Sequence, residues 1–201
     1  MRLSTKLLVL LVLVTLISTA QAATRRMILR VESVPLAWGT SCLTEYLATA
    51  LSRNPDLRIL TSDPLTDDQP PFPSDRYNVD SLFDWGTEVG GRYLLVVAVE
   101  REALERRKTF SVPLLFQRWE TIGVIQGELR LLDLQKRRLL AAESFEEKMS
   151  GSRQIQAEAD DNRHDPSLHL VASEKTRLFQ ALEQRLVDRL VGKVSRLTRG
   201  R

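Results

Sequence analysis

Seven consecutive apolar residues in the middle of the chain, Tyr93–Val99 (YLLVVAV), constrain the fold more than any other segment. The run is too short for a core helix and is rich in β-branched residues, which favours a strand. A strand without polar alternation is typical of the middle of a sheet, where both faces are covered. We therefore predict that Tyr93–Val99 is a central strand buried on both faces.

Two strand–helix units precede this run. Met27–Val34 alternates apolar and polar residues, which predicts a strand. The next segment predicts a helix capped by Ser41 or Thr40, and its apolar stripe consists of Leu43, Tyr46, Leu47, Ala50 and Leu51. Leu57–Leu60 predicts a short second strand, and Val79–Val89 predicts a short second helix.

Between these units lies a stretch without periodicity, Thr61–Asp80, which contains four prolines and five aspartates. Pro70-Pro71-Phe72-Pro73 is incompatible with a regular helix. Loops of this length are uncommon unless they are functional or mobile. We therefore expect a long surface loop that contacts partners, and we expect deletion of Gln69–Ser74 to leave folding intact.

The segment after the central run predicts an antiparallel meander. Glu100–Lys108 is highly charged, and we predict a turn or hairpin tip there. Phe110–Phe116 and Ile125–Leu131 alternate in polarity and predict two strands, and Leu139–Lys148 predicts another after a polar turn. Pro113 removes a donor from its strand, which favours a sheet edge or a bulge there.

The end of the chain predicts a long helix. Met149–Asp165 is polar and irregular, and Pro166 suits the first position of a helix over Ser167–Leu197. The predicted order is therefore β-α-β-α-β-β-β-β-α. This order predicts an α+β fold in which three helices pack on a mixed sheet of about five or six strands. The first strands pair in parallel, and the later strands form the antiparallel meander.

The amino terminus predicts export. Arg2 and Lys6 precede the apolar run Leu7–Ile17, and small residues close the segment at Ala20 and Ala22. This pattern is typical of a bacterial signal peptide, with cleavage after Ala22. The run is too short for a spanning helix, so we expect no stable membrane insertion. We therefore predict a periplasmic protein with one α+β domain over residues 23–201.

Charge and cysteine content narrow the classes of partner. The leader holds two of the 29 basic residues and none of the 26 acidic ones, so the rest of the chain is close to neutral. A near-neutral exported chain is not typical of nucleic-acid binding, so we expect no nucleic-acid partner. Cys42 is the single cysteine, which excludes an internal disulfide and favours a buried apolar role.

Catalytic and metal patterns are weak throughout the sequence. His164 and His169 lie near three acidic residues, but they do not form an HExxH helix and lack a third spaced ligand. The aspartates at 63, 67 and 68 lack the glycine and terminal glutamate of a calcium loop. We therefore predict no catalytic residue, no metal ligand and no cofactor. A metal-dependent envelope hydrolase using His164 and His169 remains the enzyme alternative.

Three segments carry a resemblance to a known family: SCLTEYLATALSRNPDLRIL, LFDWGTEVGGRYLLVVAVE and GVIQGELRLLDLQKRRLLAAESF. Together they resemble the periplasmic α+β domain shared by the curli secretion-channel protein CsgG, the amino-terminal domain of TolB, and lipoprotein activators of penicillin-binding proteins. The resemblance extends over about Met27 to Leu197. This chain lacks the lipidated cysteine of several of these relatives, and Gln135-Lys136-Arg137 replaces their Thr-Gly turn.

The resemblance implies a non-enzymatic module that binds envelope proteins. Its expected contact surfaces are the Thr61–Asp80 loop, the Glu100–Lys108 tip and an exposed edge near Pro113, because loops and edges commonly recruit other chains. A structural subunit of an envelope oligomer is the remaining alternative, and a homo-oligomer is compatible with both.

Overall fold

A computed structural model describes residues 25–34, 41–61, 70–112, 116–156 and 170–199. In these ranges a single five-stranded sheet has the order β2-β1-β3-β4-β5. Its elements are β1 (Arg25–Glu32), α1 (Leu43–Ser52), β2 (Leu57–Thr61), α2 (Val79–Glu88), β3 (Tyr93–Val112), β4 (Phe116–Asp133), β5 (Arg138–Gln156) and α3 (Ala172–Arg199).

The predicted α+β class is confirmed. β1 pairs in parallel with β2 and with β3, whereas β3, β4 and β5 form an antiparallel meander. The three helices divide between the two faces of the sheet: α1 and α3 belong to one core cluster, and α2 belongs to the other. The leader up to Ala22 lies outside the described residues, and its cleavage stays a prediction.

The apolar run is the central strand, as predicted. Every residue from Tyr93 to Val99 is at most 3% exposed. Leu95 and Val97 belong to the cluster that includes Leu47 of α1 and Leu186 of α3. Leu94 and Val96 belong to the second cluster, which includes residues of α2. One strand therefore contributes to both hydrophobic cores.

The prediction of a turn or tip at Glu100–Lys108 is wrong. These residues continue β3, and Arg101 to Lys108 pair with Gln126 to Trp119 of β4. The register shifts between Val99 and Arg101. A bulge of this kind resets which residues point to which face, so the facing of side chains in Tyr93–Val99 does not continue into the charged half. Pairing with β4 therefore outweighs the low strand propensity of the charged residues.

The carboxyl-terminal boundaries also differ from the predictions. β5 continues through Met149 to Gln156, where an irregular segment was expected, because these residues pair with β4 over Gln117–Gly123. The helix α3 begins at Ala172, later than the predicted Ser167. Asp165 and Pro166 lie outside the described residues.

The segment before α2 has no regular structure, but it is packed against the fold. Residues 62–69 are outside the described ranges. The rings of Phe72 and Trp85 meet edge to face with their centroids 5.0 Å apart. The indole Nε1 of Trp85 donates to the carbonyl of Pro70 at 2.9 Å. A deletion of Gln69–Ser74 would remove these contacts, so we now expect it to lower the stability of the fold.

Gly127 offers a sharp test of the β3–β4 pairing. A Cβ at this position would collide with the backbone carbonyl oxygen of Ala98 and lie 2.8 Å from the ring of Phe145. We expect Gly127→Ala to lower the free energy of unfolding by about 3 kcal/mol, because a backbone atom cannot move aside without breaking the pairing. Urea denaturation followed by circular dichroism measures this change.

Gly192→Ala is the matched control. Gly192 is inside α3, and apart from its own turn of helix no atom of the described residues lies within 4 Å of where a Cβ would be. Alanine is about 1 kcal/mol more favourable than glycine in a helix interior, so this variant should gain stability. Equal effects of the two substitutions would contradict the close approach of β3 and β4 at Gly127.

Candidate functional site

The metal site of the hydrolase alternative cannot be located in the described residues. His164 and His169 lie outside these residues. In the described ranges no group of three or more His, Cys, Asp or Glu side chains could hold a metal ion. The metal-dependent hydrolase alternative therefore stays an untested prediction.

The amino terminus of α1 is held by a carboxylate from α3. Both oxygens of Glu183 lie 3.2 Å from the backbone nitrogen of Cys42. The hydroxyl of Ser41 donates to Oε1 of Glu183 at 2.5 Å and accepts from the backbone N–H of Leu43 at 3.3 Å. Ser41 therefore takes part in the cap, as predicted, but a carboxylate from a distant helix completes it. Thr40 lies outside the described residues.

Cys42 is only partly buried, which differs from the expected buried apolar role. It is the N-cap residue of α1, and its side chain makes no hydrogen bond to the helix backbone. The nearby thiol and carboxylates act on Tyr46: desolvation, then the charges of Cys42 and Glu183, raise the pKa of its phenol. The thiol, the phenol and Glu183 therefore share one electrostatic environment.

The carboxylate of this cap also acts on a second carboxyl group, that of Glu102. Glu183 is 2% exposed, and burial raises its pKa while the hydrogen bonds from Ser41 and Cys42 oppose the rise. Burial, and then the charge of Glu183, raise the pKa of Glu102 on β3 to about 7. Both carboxyl oxygens of Glu102 are buried and have no hydrogen-bond partner among the described residues. The carboxyl group of Glu102 therefore keeps its proton up to about neutral pH.

Sequence reasoning missed both members of the pair. Glu102 belongs to the segment that was predicted to be a charged tip. Glu183 lies four residues after Phe179 and three before Leu186, both of which are buried. This spacing places an acidic residue on the apolar stripe of α3. This position of Glu183 could have indicated the cap from the sequence, because an acidic residue on a buried stripe needs a hydrogen-bond partner.

A second polar cluster fixes the segment before α2 to the sheet. Nη2 of Arg76 lies 2.7 Å from Oε1 of Glu100, and Nη1 lies 3.5 Å from Oε2 of Glu32. Nη1 of Arg130 donates to the carbonyl of Arg76 at 3.2 Å, and its guanidinium lies 4.7 Å from the ring centroid of Tyr77. Each exposed ion pair contributes little alone, but the network holds the segment in one place.

Beyond Ala98, no described strand pairs with β3 on the side that β1 occupies. β1 pairs with β3 only from Tyr93 to Ala98. From Val99 to Val112, β4 is the only strand that pairs with β3 among the described residues. We call this stretch, Val99–Val112, the β3 edge. The exposed side chain of Arg101 pairs with Glu105 at 3.0 Å and donates to Gln126 at 3.3 Å.

The predicted edge near Pro113 agrees with this arrangement only up to Val112, because Pro113 lies outside the described residues.

None of the helices in the described ranges has both the length and the hydropathy needed to cross a bilayer.

Comparison with known proteins gives structural likenesses only. No protein-family model matches the chain, and no curated protein matches it. A hypothetical protein from Chlamydia trachomatis is similar over 85% of this chain and 97% of its own, with 12% identity and a TM-score of 0.44. A DUF330-family protein from Xanthomonas campestris is similar over 87% and 86%, with 10% identity and a TM-score of 0.45.

A lipoprotein from Neisseria meningitidis is similar over 86% of this chain and 99% of its own, with 12% identity and a TM-score of 0.42. Bacterial lipoproteins are thus among the similar structures. These likenesses do not extend to activity or partners. The resemblance to CsgG and to the TolB domain stays a prediction.

Replacing Glu183 tests the cap between helices. We expect Glu183→Ala to lower the free energy of unfolding by about 2 kcal/mol, because it removes a charged acceptor from Ser41 and from the first turn of α1. Chemical denaturation measures the loss, and hydrogen exchange should show faster exchange of the amides at the start of α1. Glu174→Ala, on an exposed position of the same helix, is the control. Equal losses in the two variants would contradict the cap.

Replacing Glu102 tests the raised pKa of its carboxyl group. The folded protein keeps this proton up to about pH 7, whereas the unfolded chain releases it near pH 4.5. The contribution of Glu102 to stability therefore falls as the pH rises between these values. Glu102→Gln removes the penalty, so it should stabilise the protein at pH 8 by about 2 kcal/mol and much less at pH 5.

Exposed Glu45→Gln is the control for this pH dependence. Thermal unfolding of the wild type and both variants across this pH range provides the measurement. A parallel pH dependence in all three proteins would show that Glu102 titrates as an ordinary carboxyl group.

Proposed function

We propose that this chain is an exported, non-enzymatic module of the bacterial cell envelope that binds another protein through the β3 edge. The continuation of β3 past its last pairing with β1 carries the proposal. No described strand pairs with that side of β3 past Ala98, and we infer that another chain pairs with β3 there. The leader pattern over Met1–Ala22 supports the envelope location.

The β3 edge suits an extended protein segment as its ligand. In an edge strand, alternate backbone N–H and C=O groups point away from the sheet and can pair with an added strand. Side chains of both charge signs border this edge, and Phe110 is 53% exposed there. Such a mixture favours a partner strand that carries both charge signs, because like charges directly opposite one another are destabilising.

The polar cluster around Arg76 gives the edge a rigid base. Arg76 pairs with Glu100, the second residue of the β3 edge, and with Glu32 at the end of β1. These contacts join the end of β1, the start of the edge and the segment before α2. A partner strand would therefore meet an edge whose first residues are already fixed, which lowers the entropy cost of binding.

A photocrosslinking residue at Arg107 tests this function. Arg107 is an exposed position of the β3 edge that pairs with Glu120. In cells that express the protein, we expect this position to crosslink to one envelope protein. A crosslinker at Ser52, an exposed position on α1, is the control and should not capture the same protein. The proposal fails if Arg107 captures no protein, or if both positions capture the same set.

A structural subunit of an oligomer is the second candidate. β5 is an outer strand of the sheet, on the side opposite β2, and it has 19 residues. Two long antiparallel edges on one molecule favour edge-to-edge pairing of identical chains. Sedimentation analysis of the purified protein should then show a defined oligomer without an added partner, whereas a monomer at all concentrations would exclude this candidate.

A further inference from the structure

We propose that a cavity at the opposite end of the sheet binds a phosphate group. The cavity has a volume of about 390 Å³ and lies between the starts of β1 and β3 and the turn after α2. Arg25, Arg26 and Arg92 line it, and none of its described lining residues is acidic. We call these three residues and the cavity the arginine cavity. Nothing in the proposed binding at the β3 edge depends on it.

The arginines of this end of the sheet are brought together by strand pairing. Arg26 of β1 is the register partner of Arg58 of β2. The backbone N–H of Arg92 donates to the carbonyl of Arg26 at 2.8 Å. Arg26 and Arg58 thus lie side by side on neighbouring strands, and Arg92, directly before β3, lies beside Arg26. Like charges on adjacent strands are destabilising, so a bound anion would relieve this repulsion.

The described residues supply no such anion. No carboxylate in the described ranges forms an ion pair with Arg26, Arg58 or Arg92, whereas Arg76, Arg130 and Arg137 all have acidic partners there. Nε of Arg92 is buried and has no hydrogen-bond partner among the described residues. Its guanidinium lies 5.4 Å from the ring centroid of Tyr93, and this ring contact leaves the donor atoms of Arg92 available.

The donors of the cavity are side chains and not the glycine turn. The backbone N–H of Gly90 already donates to Thr87, and that of Gly91 donates to Gly86. Nη1 of Arg25 donates to the carbonyl of Thr198 at 2.7 Å, which fixes this side chain beside the end of α3. Arg26 and Arg92 are therefore the residues that would contact the ligand, and Arg25 would contribute charge from a fixed position.

The chemistry of these donors favours phosphate. Guanidinium groups present planar pairs of N–H donors that match two oxygens of a phosphate. A phosphate near neutral pH carries more negative charge than a single carboxylate, and it can accept from both Arg26 and Arg92 at once. A soluble phosphorylated solute and the phosphate headgroup of an anionic lipid share this chemistry.

Two binding measurements separate these sources. In one arm, inorganic phosphate is titrated into ¹⁵N-labelled protein, and the amide signals of Gly90, Gly91 and Arg92 are followed. In the other arm, the protein is sedimented with phosphatidylcholine vesicles that contain or lack phosphatidylglycerol. Shifts at the arginine cavity with phosphate indicate a soluble ligand. Binding only to the anionic vesicles indicates a lipid headgroup. Either result supports the site.

The double variant Arg26→Gln/Arg92→Gln ties the binding to the cavity. A charged hydrogen bond contributes enough that the loss of both should weaken binding by more than about tenfold. Arg177→Gln/Arg185→Gln, which removes the same charge from exposed positions of α3, should change affinity by less than about twofold. The thermal unfolding midpoint checks that each variant is folded. If the double variant does not fold, the single variant Arg26→Gln takes its place.

The proposal is overturned if neither phosphate nor anionic vesicles bind. It is also overturned if the control pair on α3 weakens binding as much as the cavity pair, because attraction would then come from overall charge. Crosslinking at the β3 edge would be unaffected by either outcome, so failure of this site and failure of the proposed function are distinguishable.

Discussion

The whole structure depends on one strand that is buried on both faces. Tyr93–Val99 of β3 pairs with β1 on one side through Ala98 and with β4 on the other, and its side chains belong to both core clusters. Burial of these seven apolar residues therefore contributes hydrophobic stabilisation on both faces of the sheet. The parallel and antiparallel halves of the sheet are joined through this strand alone, since β1 and β4 are not neighbours.

The functional features follow from where this burial ends. β1 stops at Glu32, so β3 continues with one side of its backbone unpaired by any described strand. Glu102 lies shortly after the last residue of β3 that pairs with β1. Burial, and then the charge of Glu183, raise its pKa. At the opposite end of the same strand, Arg92 lies beside Arg26. The two proposed binding surfaces are therefore at opposite ends of β3. Each consists of charged residues that lie outside the core, because burying a charge is costly.

Local patterns predicted the core well and the polar sites poorly. The stripe of α1 and the Tyr93–Val99 strand were both readable, because apolar periodicity reports burial directly. The continuation of β3 past Val99 was not readable from the sequence. A bulge follows Val99, and the residues beyond it are charged. The Glu183 cap joins positions 142 residues apart in sequence, and only the fold shows that they meet. The arginine cavity needs the register of three strands, which sequence patterns do not specify.

Hydrogen exchange along β3 tests the central claim most directly. Amide exchange rates are measured by NMR for the free protein and for its complex with the crosslinked partner. The account predicts that the amides of Tyr93–Ala98 are the most protected in both states, and that alternate amides from Arg101 to Phe110 exchange fast in the free protein and slowly in the complex. Unchanged exchange along Arg101–Phe110 in the complex, with protection appearing on another surface, would contradict binding at the β3 edge.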